Sequence, residues 1–222
     1  MKYQAMPTKL PKRIQTPREE KFNALTHGFG LLLALIGSPF LLAKAFERGD
    51  FDLNLASLSF CLGILMVYAS STFYHLAKDR QLKQKLQKAD HISIYFLIAG
   101  SYSPMLISVL PREKAIIWLS LLWAFVLVGT IFKVFFIGRF KFVSVGLYLM
   151  MGWISVFLLR SMWQNLSGEI LTWIALGGLG YTAGVYFYVN SNRFYFHAIW
   201  HLFVLMGTLS HFIAIAMIVS GF

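Results

Sequence analysis

A chain of 222 residues that is 58% hydrophobic and only 13% charged carries more apolar surface than a fold of its size can bury, which excludes an ordinary soluble domain. The formal charge of +11 lies between hydrophobic runs rather than on one compact patch, as juxtamembrane charge does, and this argues against a nucleic-acid partner. A single cysteine, Cys61, sits inside an apolar run, so an internal disulfide is excluded and a small buried apolar role is expected for it.

A crossing needs about 20 mostly apolar residues to match about 30 Å of hydrocarbon. Taken in chain order, seven segments reach that length: 25–46, 53–76, 90–110, 115–136, 142–160, 170–190 and 196–219. Short polar joints separate them, among them 78–88, 111–114 and 190–193. Only Lys133, Gly138, Arg139 and Lys141 interrupt the stretch 115–160, but its 46 residues are too many for one crossing. The pattern therefore predicts an all-α integral membrane protein built as a bundle of seven transmembrane helices. Residues 1–21 read as a basic cytoplasmic segment and 22–222 as the transmembrane domain. The first apolar run is long enough to remain in the bilayer, so no cleaved leader is expected.

Orientation follows from the bias of lysine and arginine toward the cytoplasmic side. With the N-terminus inside, that side receives fifteen of them, from the first 21 residues, the 78–88 joint, Lys133, Arg139, Lys141 and Arg193. The other side receives five: Lys44, Arg48, Arg112, Lys114 and Arg160. The expected placement is the inner (plasma) membrane, multi-pass, with the N-terminus in and the C-terminus out. The basic N-terminal run reads as a contact for anionic lipid, and the six tryptophans mostly as interface belts.

Ionisable residues inside spans are costly and usually face the bundle interior for a functional reason. In this topology Ser71 and His75 end the second span at the cytoplasmic face, and Asp90 and His91 open the third there. His197 and His201 open the seventh span at the same face, and Glu20, Asn23 and His27 lie where the first begins. Four segments distant in sequence thus place polar residues in one leaflet.

The sharpest unit is His197-Ala198-Ile199-Trp200-His201. An i, i+4 pair shares one helix face about 6 Å apart along the axis, so two imidazoles can hold one metal. The same spacing also reads as two interfacial histidines hydrogen-bonded to loops. His75, at matching depth with Ser71 one turn before it, supplies a third ligand. Three neutral imidazoles with an open fourth position is the arrangement of a catalytic zinc, whose water is acidified toward neutrality. Asp90 is placed to hold that water or to act as general base. His91 reads as a supporting partner or as a plain headgroup-level histidine. His211, ten residues past His201 and about 15 Å deeper, cannot share its metal and reads as a satisfied buried group. Glu20, Asn23, Thr26 and His27 read as caps of the first helix.

Together, Glu20-x-x-Asn23-x-x-Thr26-His27-Gly28, Ser71-x-x-x-His75, Asp90-His91 and His197-x-x-x-His201 resemble the signatures of the bacterial hemolysin III proteins. Those belong with the progestin and adiponectin receptors and, more distantly, the alkaline ceramidases. The resemblance runs from about Glu20 to the C-terminus. It implies seven helices, a cytoplasmic N-terminus and a zinc held by His75, His197 and His201. Asp90 would stand beside the zinc-bound water with Ser71 close by, and Glu20, Asn23, His27 and His91 are the candidates for residues that support this centre. His211 also resembles a recurrent position of the bacterial branch. The long N-terminal extension of the animal receptors is missing, so a hormone-receptor function is not expected.

Three functions compete. The leading expectation is a zinc-dependent membrane hydrolase acting on a lipid-like amide or ester, with membrane lipids around it. A pore-forming hemolysin-like protein is implied by the family's name, but no span shows the continuous polar stripe of a conducting lumen. A zinc-braced sensor without turnover would need a fourth protein ligand, and neither Cys61 nor His91 is a compelling one. Substrate and oligomeric state are not legible in the sequence.

Overall fold

The computed structural model describes residues 13–137 and 139–221; Lys2, Lys9 and Lys12 of the basic segment and Gly138 of the fourth joint lie outside them. The described residues form helices α1 (Pro17–Glu47), α2 (Phe51–Leu76), α3 (Arg80–Val109), α4 (Arg112–Phe136), α5 (Lys141–Gly152), α6 (Ser155–Asn165), α7 (Gly168–Val189) and α8 (Phe196–Ser220). There is no strand among them. Since α5 and α6 share one membrane-length segment, Lys141–Asn165, seven helices are long and apolar enough to cross a bilayer. The seven segments anticipated from hydropathy are these seven.

Two helices begin earlier than expected. Pro17 opens α1, where a missing N–H costs nothing, and Thr16 and Glu19 form a capping box around it. Glu20, Asn23, Thr26 and His27 are therefore not caps; they lie one to three turns inside the helix. Asp79 caps α3 by accepting the Leu82 N–H at 2.7 Å, so most of the 78–88 joint is helix. Its lysines and glutamines are good helix formers, and the helix simply continues beyond the apolar run. Asp90 consequently sits ten residues into α3, not at its start.

Helix α3 is the axis of the bundle. Phe60, Ile64, Leu97 and Ile215 are buried in an apolar cluster where α2, α3 and α8 meet. Tyr95, Leu106, Leu122 and Met151 are buried in a second, where α3 meets α4 and α5. The contact of α2 with α3 is close because it is made by backbone. A Cβ on Gly63 would stand 3.0 Å from the Phe96 carbonyl oxygen, and one on Gly100 would stand 2.8 Å from that of Ser59. Small residues at helix crossings permit this approach where lipid supplies no hydrophobic drive between helices. It fixes the height of Ser71 and His75 on α2 against Asp90 on α3. Outward, Phe40, Phe135, Phe142 and Phe157 are all about 70% exposed or more, which hydrocarbon tolerates and water does not.

The fifth crossing is broken at Trp153 and Ile154, which hydropathy alone did not show. The Tyr102 hydroxyl of α3 donates to the Gly152 carbonyl at 2.6 Å and accepts the Ser155 N–H at 2.9 Å. One side chain thus satisfies both backbone groups that the break releases, which is the condition for irregular backbone at membrane depth.

Candidate metal centre

His75, His197 and His201 each offer one ring nitrogen, and these three atoms lie within 4.8 Å of one another. The rings of His75 and His201 are 5.2 Å apart, those of His75 and His197 also 5.2 Å, and those of His197 and His201 4.6 Å. Three imidazoles on one tetrahedral ion, at bonds of about 2.1 Å, take up nitrogen separations of about 3.4 Å. Small side-chain adjustments bring the three nitrogens to that spacing.

Helix α1 decides which nitrogen is offered. His75 Nδ1 donates to Glu20 Oε2 at 2.7 Å, and a carboxylate oxygen can only accept. His201 Nδ1 donates to the Asn23 carbonyl at 3.3 Å and lies 3.1 Å from Thr26 Oγ1. Thr26 Oγ1 itself donates to the Asn23 and Phe22 carbonyls, so toward His201 it too accepts. Both Nδ1 atoms therefore carry the proton, and both Nε2 atoms keep a lone pair. Those Nε2 atoms are buried and make no hydrogen bond to protein. Buried ring nitrogens without a partner call for an explanation. Two partnerless lone pairs in a close group of three histidines, each ring braced at its other nitrogen by an acceptor, is the arrangement of metal-ligating histidines. The residues present fit a metal ion.

The other expected residues divide. Asn23 is fully buried, and its Nδ2 donates to Gln15 Oε1 at 2.8 Å. Glu20 also pairs with Lys83, 2.9 Å away. The His27 ring stacks on that of His201, with centroids 3.6 Å apart, and meets Tyr68 edge-on. Ser71 is fully buried one turn before His75, its hydroxyl without a protein partner. His91 is not in the cluster: its Nδ1 donates to the Gln87 carbonyl at 2.8 Å and lies 3.5 Å from Asp90 Oδ2.

A model of the haemolysin-III related family matches residues 15–212, nearly all of the chain. The chain belongs to the haemolysin-III related family. Its similarity to a hemolysin-3 homolog of Bacillus subtilis is 36% identity, spanning 90% of this chain and 94% of that protein. Hemolysin-3 of Bacillus cereus is 31% identical over 95% of this chain and 96% of its own. The human monocyte to macrophage differentiation factor is 30% identical, covering 89% and 83%. Seven apolar helices and this membership make the chain a multi-pass membrane protein.

Beside the histidines, this family member holds a cavity of about 520 Å³ between α3, the α5–α6 span, α7 and α8. His27 and Trp200, whose rings meet that of His201, line it together with Asp90 and Tyr188, and Tyr102, Leu159, Met162 and Trp163 line it farther along; His75, His197 and His201 are not among its lining residues. Asp90 is 4% exposed. His211 also faces the cavity, with Nε2 3.3 Å from the Ile174 carbonyl and its ring against Tyr181; it is apart from the three histidines.

Sequence reasoning missed two residues. Lys133, counted as joint charge, is 3% exposed within α4, with its ammonium 5.8 Å from the Tyr148 ring. No local signal marks it, because its neighbours come from α3 and α5. Glu19 is 3% exposed and reaches the start of α8. Its signal was present in the Thr16-x-x-Glu19 capping box.

Proposed function

We propose that this haemolysin-III related protein is a zinc-dependent membrane hydrolase that acts on a lipid-like amide or ester. Its reaction centre lies in the cytoplasmic leaflet of the inner membrane, with the N-terminus in and the C-terminus out. The observation that carries the reading is the grouping of His75 and His201, each braced at Nδ1 with a partnerless Nε2, with His197, next to an apolar cavity that reaches them through His27 and Trp200. His75, His197 and His201 hold the ion, and three nitrogen ligands leave the open position that catalytic zinc sites keep. Bound zinc supplies Lewis acidity, which polarises a carbonyl and acidifies water.

The chain's own residues do the rest. Asp90 lines the same cavity as His27, whose ring stacks on that of His201, and would take the proton from the attacking water, then return it to the leaving amine or alcohol. Such a base is typically worth about 10²–10⁴-fold in rate. Glu20 and the Asn23 carbonyl keep the two ring tautomers fixed. Asp90 and Tyr102, both on the cavity wall, are twelve residues apart on α3 and so about 18 Å apart along its axis. A volume of 520 Å³ falls in the range of about 300–1,000 Å³ for small-molecule sites. Extended along α3 and lined mostly by apolar side chains, the cavity suits one acyl chain. The same lining speaks against a conducting pore, which needs a polar wall.

The test is to purify the protein, measure its zinc, and follow fatty-acid release from a panel of long-chain amides and esters in nanodiscs. Zinc-dependent release that a chelator stops and zinc restores is the expected result. Metal-loaded protein that is inert across the panel would rule out turnover of this class.

A further inference from the structure

The beginning of the chain is tied to the loop that starts α8. The Arg13 guanidinium pairs with both carboxylate oxygens of Glu19, with Nη1 2.9 Å from Oε2. Its Nε donates to the Asn192 carbonyl at 3.0 Å, and its plane lies 4.1 Å from the Phe194 ring. Glu19 Oε1 accepts the Tyr195 N–H at 2.9 Å, and the Phe22 ring meets that of Tyr195 edge-on at 5.6 Å. The Glu19 side chain is 4% exposed and that of Arg13 25%, so the pair is partly shielded from solvent on the carboxylate side.

Tyr195 is where a hold is needed. It adopts φ 60°, in the left-handed region that a bulky side chain rarely enters and that persists only where surroundings over-determine it. It directly precedes α8, and no side chain caps that helix. His197 follows two residues later. Helix α1 therefore reaches all three histidines: Glu19 through Tyr195 to His197, Glu20 to His75, and Asn23 with Thr26 to His201.

We propose that Arg13 and Glu19 form a strap that positions His197 against His75 and His201, so that metal affinity depends on residues that touch no ligand. This rests on the metal reading of the cluster. Arg13 and Glu19 are positioning residues. Releasing Tyr195 frees the left-handed turn to relax, which moves the α8 start and withdraws one of three nitrogens from the common point.

The experiment is chelator-competition titration of zinc on full-length protein in detergent, for the parent, Glu19→Gln, Arg13→Met and Arg112→Ala. Arg112 pairs with Asp52 far from the histidines and controls for the loss of any ion pair. Cobalt substitution reports ligand number through its visible bands, and hydrogen exchange reports the amides of 190–197. Expected are a zinc affinity about 10–100-fold weaker in both strap variants, the range for losing a ligand's supporting contact, altered cobalt bands and faster exchange at 190–197. Arg112→Ala should match the parent. Arg13→Met leaves the capping box intact, so it decides the matter where Glu19→Gln fails to fold. Zinc affinity within twofold of the parent in the folded strap variants overturns the strap and leaves the metal reading standing. A parent without zinc overturns both.

Discussion

The Glu20 carboxylate bridges His75 and Lys83, standing 2.7 Å from the ring nitrogen of one and 2.9 Å from the ammonium of the other. Only the first contact bears on the proposed ligand set. Glu20→Gln can still accept a hydrogen bond but loses the charge that strengthens His75 as a ligand. Zinc affinity should fall by about 10–100-fold. Lys83→Met should leave it nearly unchanged, because partly exposed ion pairs contribute about 0–1 kcal/mol. Chelator titration of the two variants side by side checks this; equal losses would place the effect in the ion pair instead.

The three histidines proposed as ligands give a steeper result. Purified protein should carry about one zinc per chain, and His197→Ala or His201→Ala should largely abolish it. Each removal leaves two nitrogens where a catalytic site uses three. Elemental analysis after size exclusion decides it, and full retention in both variants would sink the assignment.

Asp90→Asn separates base from brace. It keeps the size and one acceptor but cannot take a proton. Zinc should remain bound while fatty-acid release drops by about 10²–10⁴-fold. Activity equal to the parent's would remove Asp90 from the mechanism, and loss of zinc would make it part of the metal site.

Sidedness is open to chemical labelling. The native Cys61 is buried and the chain has no other cysteine, so background reaction with impermeant thiol reagents should be low. Cysteines introduced at Lys85 or Lys88 should be shielded in intact cells, and ones at Arg112 or Lys114 should label. The reverse pattern would invert the topology.

The α2–α3 crossing should be intolerant of added atoms. Gly100→Ala puts a Cβ 2.8 Å from a backbone oxygen, and overpacking of this kind costs about 1–3 kcal/mol. Gly146→Ala meets nothing within 4 Å and serves as the control. Thermal melts in detergent should show a clear drop for the first alone, and a matching pair of melting curves would refute the close-contact account.

Much of this was legible in the sequence, and what was hidden has physical reasons. Seven crossings follow from apolar runs because a bilayer sets their minimum length. His75, His197 and His201 could be grouped by depth, since helical crossings convert sequence position into height. Glu20 was misplaced as a cap although Pro17 and the Thr16–Glu19 box two turns before Asn23 marked the true start. The break at Trp153 left no trace, because what makes it tolerable is a hydroxyl fifty residues earlier, on Tyr102. Lys133 was hidden for the same reason: burial of a charge is settled by the helices around it, not by the run that contains it.

That Tyr102 hydroxyl also sets the stiffness of the cavity wall. A continuous helix resists bending because each degree strains its ladder of i to i−4 bonds. Past Trp153 the fifth crossing exchanges that ladder for i to i−3 bonds, from the N–H groups of Ile154, Val156 and Phe157 to the carbonyls of Met151, Trp153 and Ile154, and Tyr102 holds the two remaining backbone groups through one oxygen atom. Its two halves can tilt about that atom while each keeps its own ladder. Among the described helices that wall the cavity, this is the one interrupted in mid-span, so a change in cavity shape would be expected here before it is expected in α3.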